Sequence, residues 1–365
     1  MKKFAIILAG GKGTNMLSME ENSSKMCFPI LDKPLINYVL DALKPLNFDE
    51  IFTVVGFGGE HVKKLVEKDS TVVWQNELLG TGHAVKQVKK YIENIEGETL
   101  IVHGDTALIS TETIEDILKI HKRARNTLTI VSAILPSAKH YGRIIREAKS
   151  NRLLEIKEEA DCNSDELSIN EANTGVCVVN NQTLCKYLDL LTQNNKRNLF
   201  YLSELVKLLK NDNYKIGAYV ASYMVEMFGI NNRQDLAYGT KIIRKRINTK
   251  LMLEGVTIED PDTAFISQSV QIEADTIIYP NTIIKGNTSI GKRNIIGPNT
   301  VIDNSKIGDG NIIENSHVHD SEIGNQNKCG LYNIINKTIM GNNCKLDNYL
   351  ELNGVIIKDN EILKK

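Results

Sequence analysis

A glycine-rich turn follows the first apolar run of the chain, where Phe4–Leu8 leads into Ala9-Gly-Gly-Lys-Gly-Thr14. Glycines at such a turn let backbone N–H groups approach an anion, and Lys12 adds positive charge, so phosphate binding is the chemistry this stretch could do. Two common phosphate templates are not met: GxxxxGK[ST] is absent, and GxGxxG would need a glycine at Met16. Taken alone, the turn is equally a tight strand–helix connection. Asp105 ends the apolar run Thr99-Leu-Ile-Val102 in His103-Gly-Asp105. Ligands of open α/β sheets gather at the carboxyl ends of strands, and a carboxylate there can hold Mg²⁺ against phosphates. Gln75 offers an amide donor and an acceptor. Asn231, in Gly229-Ile-Asn-Asn-Arg233, reads by itself as the cap of a following helix. A lone lysine such as Lys25 reads as surface, and His83 reads as packing. His317 and His319 form an HxH with no third ligand in view, which reads as a solvated corner.

These residues need elements to position them. Strand candidates are Phe4–Leu8, Ile51–Phe57, Thr71–Gln75, Thr99–His103, Leu128–Leu135 and Thr174–Val179, short and mostly β-branched, as strands buried on both faces are. Between them lie helical patterns, with Leu35, Val39 and Leu43 on one face and Ile36 and Leu40 beside it, and later Ile114, Ile117 and Leu118. The alternation predicts a mostly parallel sheet covered by helices. Residues 233–254 read as one helix with a basic, solvated face (Lys241, Arg244, Lys245, Lys250), stopped at Gly255. The period then changes: Ile272, Ile278, Ile284, Ile290, Ile296 and Ile302 recur every six residues. Neither a helix nor a plain strand has that period, whereas a parallel β-helix does. The pattern loosens after Ile302 and stays recognisable to about residue 357. The expected division is 1–228, a linking helix 229–255, and 256–365.

With 365 residues, two or three domains are expected, and 42% hydrophobic and 24% charged residues suit a globular core. A formal net charge of -1 gives no reason to expect nucleic-acid or anionic-membrane binding. The six cysteines show no metal-type spacing and read as buried free thiols of a reducing cytoplasm. The apolar stretch after Lys2 and Lys3 is too short for a signal peptide and reads as a first strand.

Leu8-Ala-Gly-Gly-Lys-Gly-Thr-Asn-Met16, then Lys25, then Leu31-Asp-Lys-Pro34 resemble the opening signature of the sugar-1-phosphate nucleotidyltransferases. Gln75 with Leu79-Gly-Thr-Gly-His-Ala84, His103-Gly-Asp105, Tyr141-Gly-Arg-Ile144, Asn173-Thr-Gly175 and Gly229-Ile-Asn-Asn-Arg233 extend the match. With the hexad tail, the chain resembles the bacterial bifunctional N-acetylglucosamine-1-phosphate uridyltransferase/glucosamine-1-phosphate acetyltransferase family over nearly its whole length. That resemblance implies a Rossmann-like nucleotidyltransferase domain with a mostly parallel mixed sheet, followed by a short left-handed parallel β-helix. It implies Mg²⁺-dependent attack of a sugar-1-phosphate on UTP, with Lys25 at the phosphates and Asp105 and Asn231 as metal ligands. The nucleotide positions it implies are Leu8, Ala9, Gly10, Gly11, Lys12, Gln75, Gly80, Thr81, His103 and Gly104. The sugar positions are Gly142, Glu158 and Asn173. A homotrimer through the β-helix is implied as well.

The sequence departs from that family at several places. Asn15 stands where the family has an arginine that stabilises the triphosphate; Lys12 and Arg143 are the candidates to supply that charge. Residues 17–24 are acidic, His103 replaces a tyrosine, Ala107 replaces a proline, and Lys157-Glu-Glu-Ala departs locally around Glu158. In Asp347-Asn-Tyr-Leu-Glu-Leu-Asn-Gly354, Asn353 and Gly354 replace lysines, and the chain stops before the coils expected to carry acetyl transfer, so that activity is not expected. Two further readings stay open: a non-catalytic homologue that binds a nucleotide sugar as a regulator or assembly partner, and a nucleotidyltransferase acting on another sugar or base.

Overall fold

The computed structural model describes residues 1–13, 16–17 and 24–365. Asn15 and most of the acidic stretch therefore lie outside the described residues. By contacts the chain forms two units, Met1–Pro29 with Pro34–Leu236, and Ile30–Lys33 with Ala237–Lys365. The division falls inside the helix Arg233–Leu253, close to the span its apolar period predicts.

The strands that precede the helix Arg233–Leu253 are, in chain order, β1 (Lys2–Ala9), β2 (Pro29–Ile30), β3 (Lys33–Pro34), β4 (Glu50–Val55), β5 (Thr71–Trp74), β6 (Gly97–His103), β7 (Leu128–Ile134), β8 (Arg143–Arg146), β9 (Leu153–Lys157), β10 (Glu171–Asn180) and β11 (Ile216–Val220). The main sheet runs β11-β7-β10-β6-β1-β4-β5. β1 pairs in parallel with both β4 and β6, whereas β10 is antiparallel to β6 and β7. Ala5, Ile6 and Ile7 are fully buried, as a strand with helices on both faces requires. Lys2–Ala9 is thus the middle of the sheet. From β1 the chain passes outward to β4 and β5, then returns to β6 on the other side, so the carboxyl ends of β1 and β6 flank the point where strand order reverses. Crevices form there because successive connections leave in opposite directions.

Strands β8, β9 and β11 were not legible in the sequence. β8 and β9 form an antiparallel hairpin rich in Arg, Lys and Glu, and β11 carries only Ile216, Ala218, Tyr219 and Val220 as apolar signal.

In the second unit the hexad becomes a parallel β-helix of three sheets. Successive isoleucines of the hexad fall on successive faces and point inward. One buried column is Ile258, Ile278, Ile296, Ile313, Cys329 and Leu346, and the next is Ile266, Ile284, Ile302, Val318, Ile335 and Leu352. The loosening after Ile302 has a simple cause. Ile272 pairs with Ile290, a full coil of three hexads, but Ile302 pairs with Val318, a shorter one. Corners lost residues while the inward aliphatics kept their places. Asn281, Asn299 and Asn315 take positive φ at one such corner, where asparagine tolerates the left-handed conformation. Inside, Asn294, Asn311 and Asn327 form a buried ladder, each Oδ1 accepting the backbone N–H of the next coil at 2.7–2.9 Å. Within this unit Asp32 Oδ2 accepts the N–H of Gly286 at 3.1 Å. His317 and His319 lie on one strand edge-to-face, and no group of three His, Cys, Asp or Glu that could hold a metal occurs among the described residues. No disulfide joins any of the six cysteines; five are buried and Cys27 is half-buried.

Candidate active site

β6 delivers His103, Gly104 and Asp105 to the reversal point, and the Gly104 N–H donates to the Leu8 carbonyl at 3.0 Å, which ties the end of β6 to the end of β1. Lys25 arrives from a separate three-residue turn, Lys25–Cys27, capped by the Ser24 hydroxyl. Its ammonium donates to Oδ2 of Asp105 and, at 2.8 Å, to Oδ1 of Asn231. The turn passes so close to the glycine loop that a Cβ on Gly13 would sit 2.7 Å from Cβ of Lys25, and Gly13 also has φ of +61°. Burial by itself would push the Asp105 carboxyl up, but the Lys25 charge, then His103, outweigh it and hold the group below the usual carboxylate range. Burial pushes the His103 imidazole down.

Asn231 comes from the loop before the helix Arg233–Leu253. That helix is capped by Asn232, whose Oδ1 accepts the Asp235 N–H at 2.9 Å while Asp235 Oδ2 accepts the N–H groups of Asn231 and Asn232. The capping expected of Asn231 is thus done by its neighbour, and the Asn231 side chain is left to face Lys25. Its Nδ2 donates to the Gly229 carbonyl at 3.0 Å, which fixes which end of the amide points at the ammonium.

Asp105, Asn231, His103 and Thr81 line a cavity of about 240 Å³. Gly142, Glu158 and Asn173 line the same cavity. Asn173 sits where β10 slips register against β7, between Asn173 and Cys177. Its N–H donates to the Gly142 carbonyl at 2.8 Å. Glu158 accepts from the Ser203 hydroxyl at 2.8 Å, and burial pushes its carboxyl up. A second cleft is lined by Lys12, Gln75, Gly56, Trp74 and Leu78. There the Gln75 amide N–H₂ faces the Gly80 carbonyl and His83 Nδ1, both at 3.1 Å. The donor expected of Gln75 is therefore engaged internally, and its Oε1 lies next to Gly10. His83 also contacts Gln87, Nε2 to Nε2, at 3.1 Å. Open space lies beside Gly11.

The structure thus gathers Lys25, Asp105, His103, Thr81, Gly142, Glu158, Asn173 and Asn231 in one place, with Gly10, Lys12 and Gln75 at the neighbouring cleft. It does not bring Arg143 there. Arg143 is 3% exposed, donates to the Tyr141 carbonyl and lies 3.6 Å from Glu159, with its Nε unpartnered. Arg143 therefore cannot supply the charge missing at Asn15, whereas Lys12 faces the second cleft. Sequence reasoning missed Phe200 and Tyr141. Phe200 exchanges backbone hydrogen bonds of 2.8 Å with Leu79 and Gly82, pinning the Leu79–Ala84 segment. The Tyr141 hydroxyl accepts the Gly229 N–H at 3.2 Å. Tyr141 opens the quoted motif Tyr141-Gly-Arg-Ile144, but neither contact is signalled by the sequence, because both act through backbone groups of distant segments.

Residues 4–222 match the family model described as nucleotidyl transferase, and residues 246–365 match that of the GMPPB C-terminal domain. The chain is 38% identical over 356 residues to the Bifunctional protein GlmU of Clostridioides difficile (strain 630), covering 97% of this chain and 76% of that protein. It is 39% identical over 353 residues to the protein of the same name from Geobacillus sp. (strain WCH70), covering 96% and 76%. A structure of UDP-glucose pyrophosphorylase complexed with UDP-glucose superposes with a TM-score of 0.54 at 17% identity, over 67% of this chain and 100% of that one, which bears on the fold alone.

Proposed function

Because this chain belongs to the nucleotidyl transferase family, among the GlmU-like sugar-1-phosphate nucleotidyltransferases, we propose that it joins UTP to N-acetylglucosamine-1-phosphate with Mg²⁺, giving UDP-N-acetylglucosamine and pyrophosphate. The observation that carries this reading is the convergence of the Asp105 carboxylate and the Asn231 amide oxygen on the Lys25 ammonium, beside a cavity that Gly142, Glu158 and Asn173 also line.

The donor set fits a hard divalent cation. Two oxygens already converge on one positive group, and Mg²⁺ is commonly held by one or two protein oxygens plus substrate phosphates. Bound there, Mg²⁺ would neutralise charge developing on the phosphates. The chain does the rest by positioning. A phosphate oxygen of the sugar phosphate forms a bond to the α-phosphorus of UTP, and the bond from that phosphorus to the α–β bridging oxygen breaks. Transfers of this kind depend on alignment and electrostatics more than on covalent help. Gln75 Oε1, fixed by the contacts of its amide, is set to accept a uracil N–H. Gly10, Gly11 and Lys12 border the triphosphate path. Glu158, held by Ser203, and the backbone of Gly142 and Asn173 orient the sugar. Localisation in the cytoplasm belongs to the same reading and accords with cysteines that form no disulfide. Self-association as a trimer through the β-helix belongs to the same reading and accords with exposed Ile334, Ile339, Ile356 and Ile362. Acetyl transfer is left out of the proposal, since Asn353 and Gly354 replace the lysines of the resembling segment.

The test is pyrophosphate release by purified protein given UTP, N-acetylglucosamine-1-phosphate and Mg²⁺. Release is expected, with loss of about a hundredfold or more in Asp105→Ala, the scale of removing a charge-stabilising group. One observation favours a second reading, that of a nucleotide-sugar binder without turnover: Arg143 is committed to Tyr141 and Glu159 and does not replace the charge absent at Asn15. No release from the native protein, with release gained in Asn15→Arg, would establish that second reading.

A further inference from the structure

The two oxygens suited to a divalent cation are already holding a cation, the ammonium of Lys25. We propose that in the nucleotide-free protein Lys25 is the resident cation of the Asp105–Asn231 pair, and that it exchanges places with the divalent ion only when a nucleoside triphosphate arrives. The inference rests on the metal-dependent reading above.

The exchange follows from burial and charge. The side chains of Lys25 and Asp105 are only 12% and 10% exposed, so water screens their attraction weakly. A divalent ion must approach oxygen ligands to about 2.0–2.1 Å, and the ammonium already stands on Asp105 Oδ2 and within 2.8 Å of Asn231 Oδ1. Two cations cannot share that space. If Lys25 left first, it would strand a buried carboxylate without a counter-charge, which is strongly unfavourable. If the metal entered first, like charges would meet in a poorly screened site. A polyanion removes both obstacles, because it offers the ammonium a new partner and brings a metal ion with it. The ends of the pair are also fixed. Asn231 is braced by its own Nδ2 on Gly229, and the Ile230 N–H donates to the Asp105 carbonyl at 3.0 Å. Asp105 and Asn231 are thus held, and Lys25, on its short capped turn, is the exchangeable member. The device couples metal and nucleotide: free metal alone finds the site closed.

Mn²⁺ alone, titrated into the full-length protein and followed by the electron paramagnetic resonance of the free ion, tests this. Without nucleotide, Lys25→Met is expected to bind Mn²⁺ about tenfold tighter than the native protein, within the roughly 5–150-fold range usual for coupled ligands. The gain should disappear in Lys25→Met/Asp105→Asn, and Lys25→Arg, which keeps the charge, should bind as weakly as the native protein. A non-hydrolysable UTP analogue should bring the native protein near the Lys25→Met affinity. Equal affinities of native and Lys25→Met proteins without nucleotide would overturn the proposal, as would a gain that survives Asp105→Asn. If Lys25→Met does not fold, tight binding by Lys25→Arg would overturn it too. Failure of pyrophosphate release with intact Mn²⁺ exchange would sink the catalytic reading and leave the exchange standing.

Discussion

The hydroxyl of Tyr141 accepts the backbone N–H of Gly229 at 3.2 Å, joining two segments that both line the candidate site. Tyr141 precedes Gly142, which also lines the cavity, and Gly229 lies two residues before Asn231. A Cβ on Gly229 would lie 3.6 Å from Asp105 Oδ1, so the loop is also packed against the carboxylate it complements. Tyr141→Phe removes this anchor and keeps the ring. A hydrogen bond of this kind contributes about 1 kcal/mol, so pyrophosphate release should fall roughly fivefold. A positioning role further requires that the Mg²⁺ concentration for half-maximal rate rise in Tyr141→Phe. An unchanged Mg²⁺ dependence would assign Tyr141 to packing alone.

Gly80 opens the Leu79–Ala84 turn with φ of +107°, and a Cβ there would lie 2.5 Å from the Phe200 carbonyl oxygen. Gly80→Ala should therefore lower the unfolding free energy by about 1–3 kcal/mol, the usual cost of a non-glycine residue in such a conformation. Gly11 offers the control, because a Cβ there meets nothing within 4 Å and its φ is not strained. Gly11→Ala should leave stability within about 0.5 kcal/mol of native. Urea unfolding of the two variants separates backbone strain from a general dislike of side chains in glycine loops.

In the β-helix, Asn311 is the middle rung of the buried amide ladder. It donates from N and Nδ2 to Asn294 Oδ1 at 2.8 and 3.1 Å, and its own Oδ1 receives both donors of Asn327 at 2.9 and 3.0 Å. Asn311→Ala strands the Asn327 donors in the interior. With each unsatisfied buried group costing about 1–3 kcal/mol, the loss should be on the order of 3 kcal/mol. Asn311→Ser is expected to recover part of it. An Asn311→Ala protein as stable as native to denaturant would mean the ladder is not what fixes the coil register.

Burial of His121 contributes a pH dependence of stability. It is 2% exposed, contacts the Thr129 hydroxyl at 2.8 Å, and burial pushes its imidazole down to about 4. Its value in the unfolded chain is about 6.5. A depressed histidine is neutral in both states above that value and adds no pH dependence there. As pH falls below about 6.5, only the unfolded chain gains the proton, so stability drops until the folded protein also protonates near pH 4. The loss over that window is on the order of 3 kcal/mol. His121→Gln, which retains hydrogen-bonding groups, should flatten the stability profile between pH 6.5 and 4. A native and a variant profile that run parallel would exclude His121 as the cause.

The sequence by itself determined the two architectures and most of the chemistry-bearing positions. Strands buried on both faces must be apolar throughout, so β1, β4, β6 and β7 are legible as β-branched runs. A β-helix must bury one aliphatic per face, so Ile272 to Ile302 are legible as a hexad, even where later coils shorten. Glycine loops and the carboxylate of Asp105 at a strand end are legible because backbone approach and strand-end placement restrict residue type locally. What the tertiary structure decided was partnership. Arg143 sits in a promising motif yet turns to Tyr141 and Glu159, and Asn232 rather than Asn231 caps the helix. Gln75 gives its donor to Gly80 and His83 and leaves only its oxygen beside Gly10. Lys25, one lysine among many in the sequence, becomes the cation of Asp105 and Asn231. Side-chain pairing across long separations depends on where the chain is brought back in space, and a one-dimensional pattern records which groups exist without recording which of them meet.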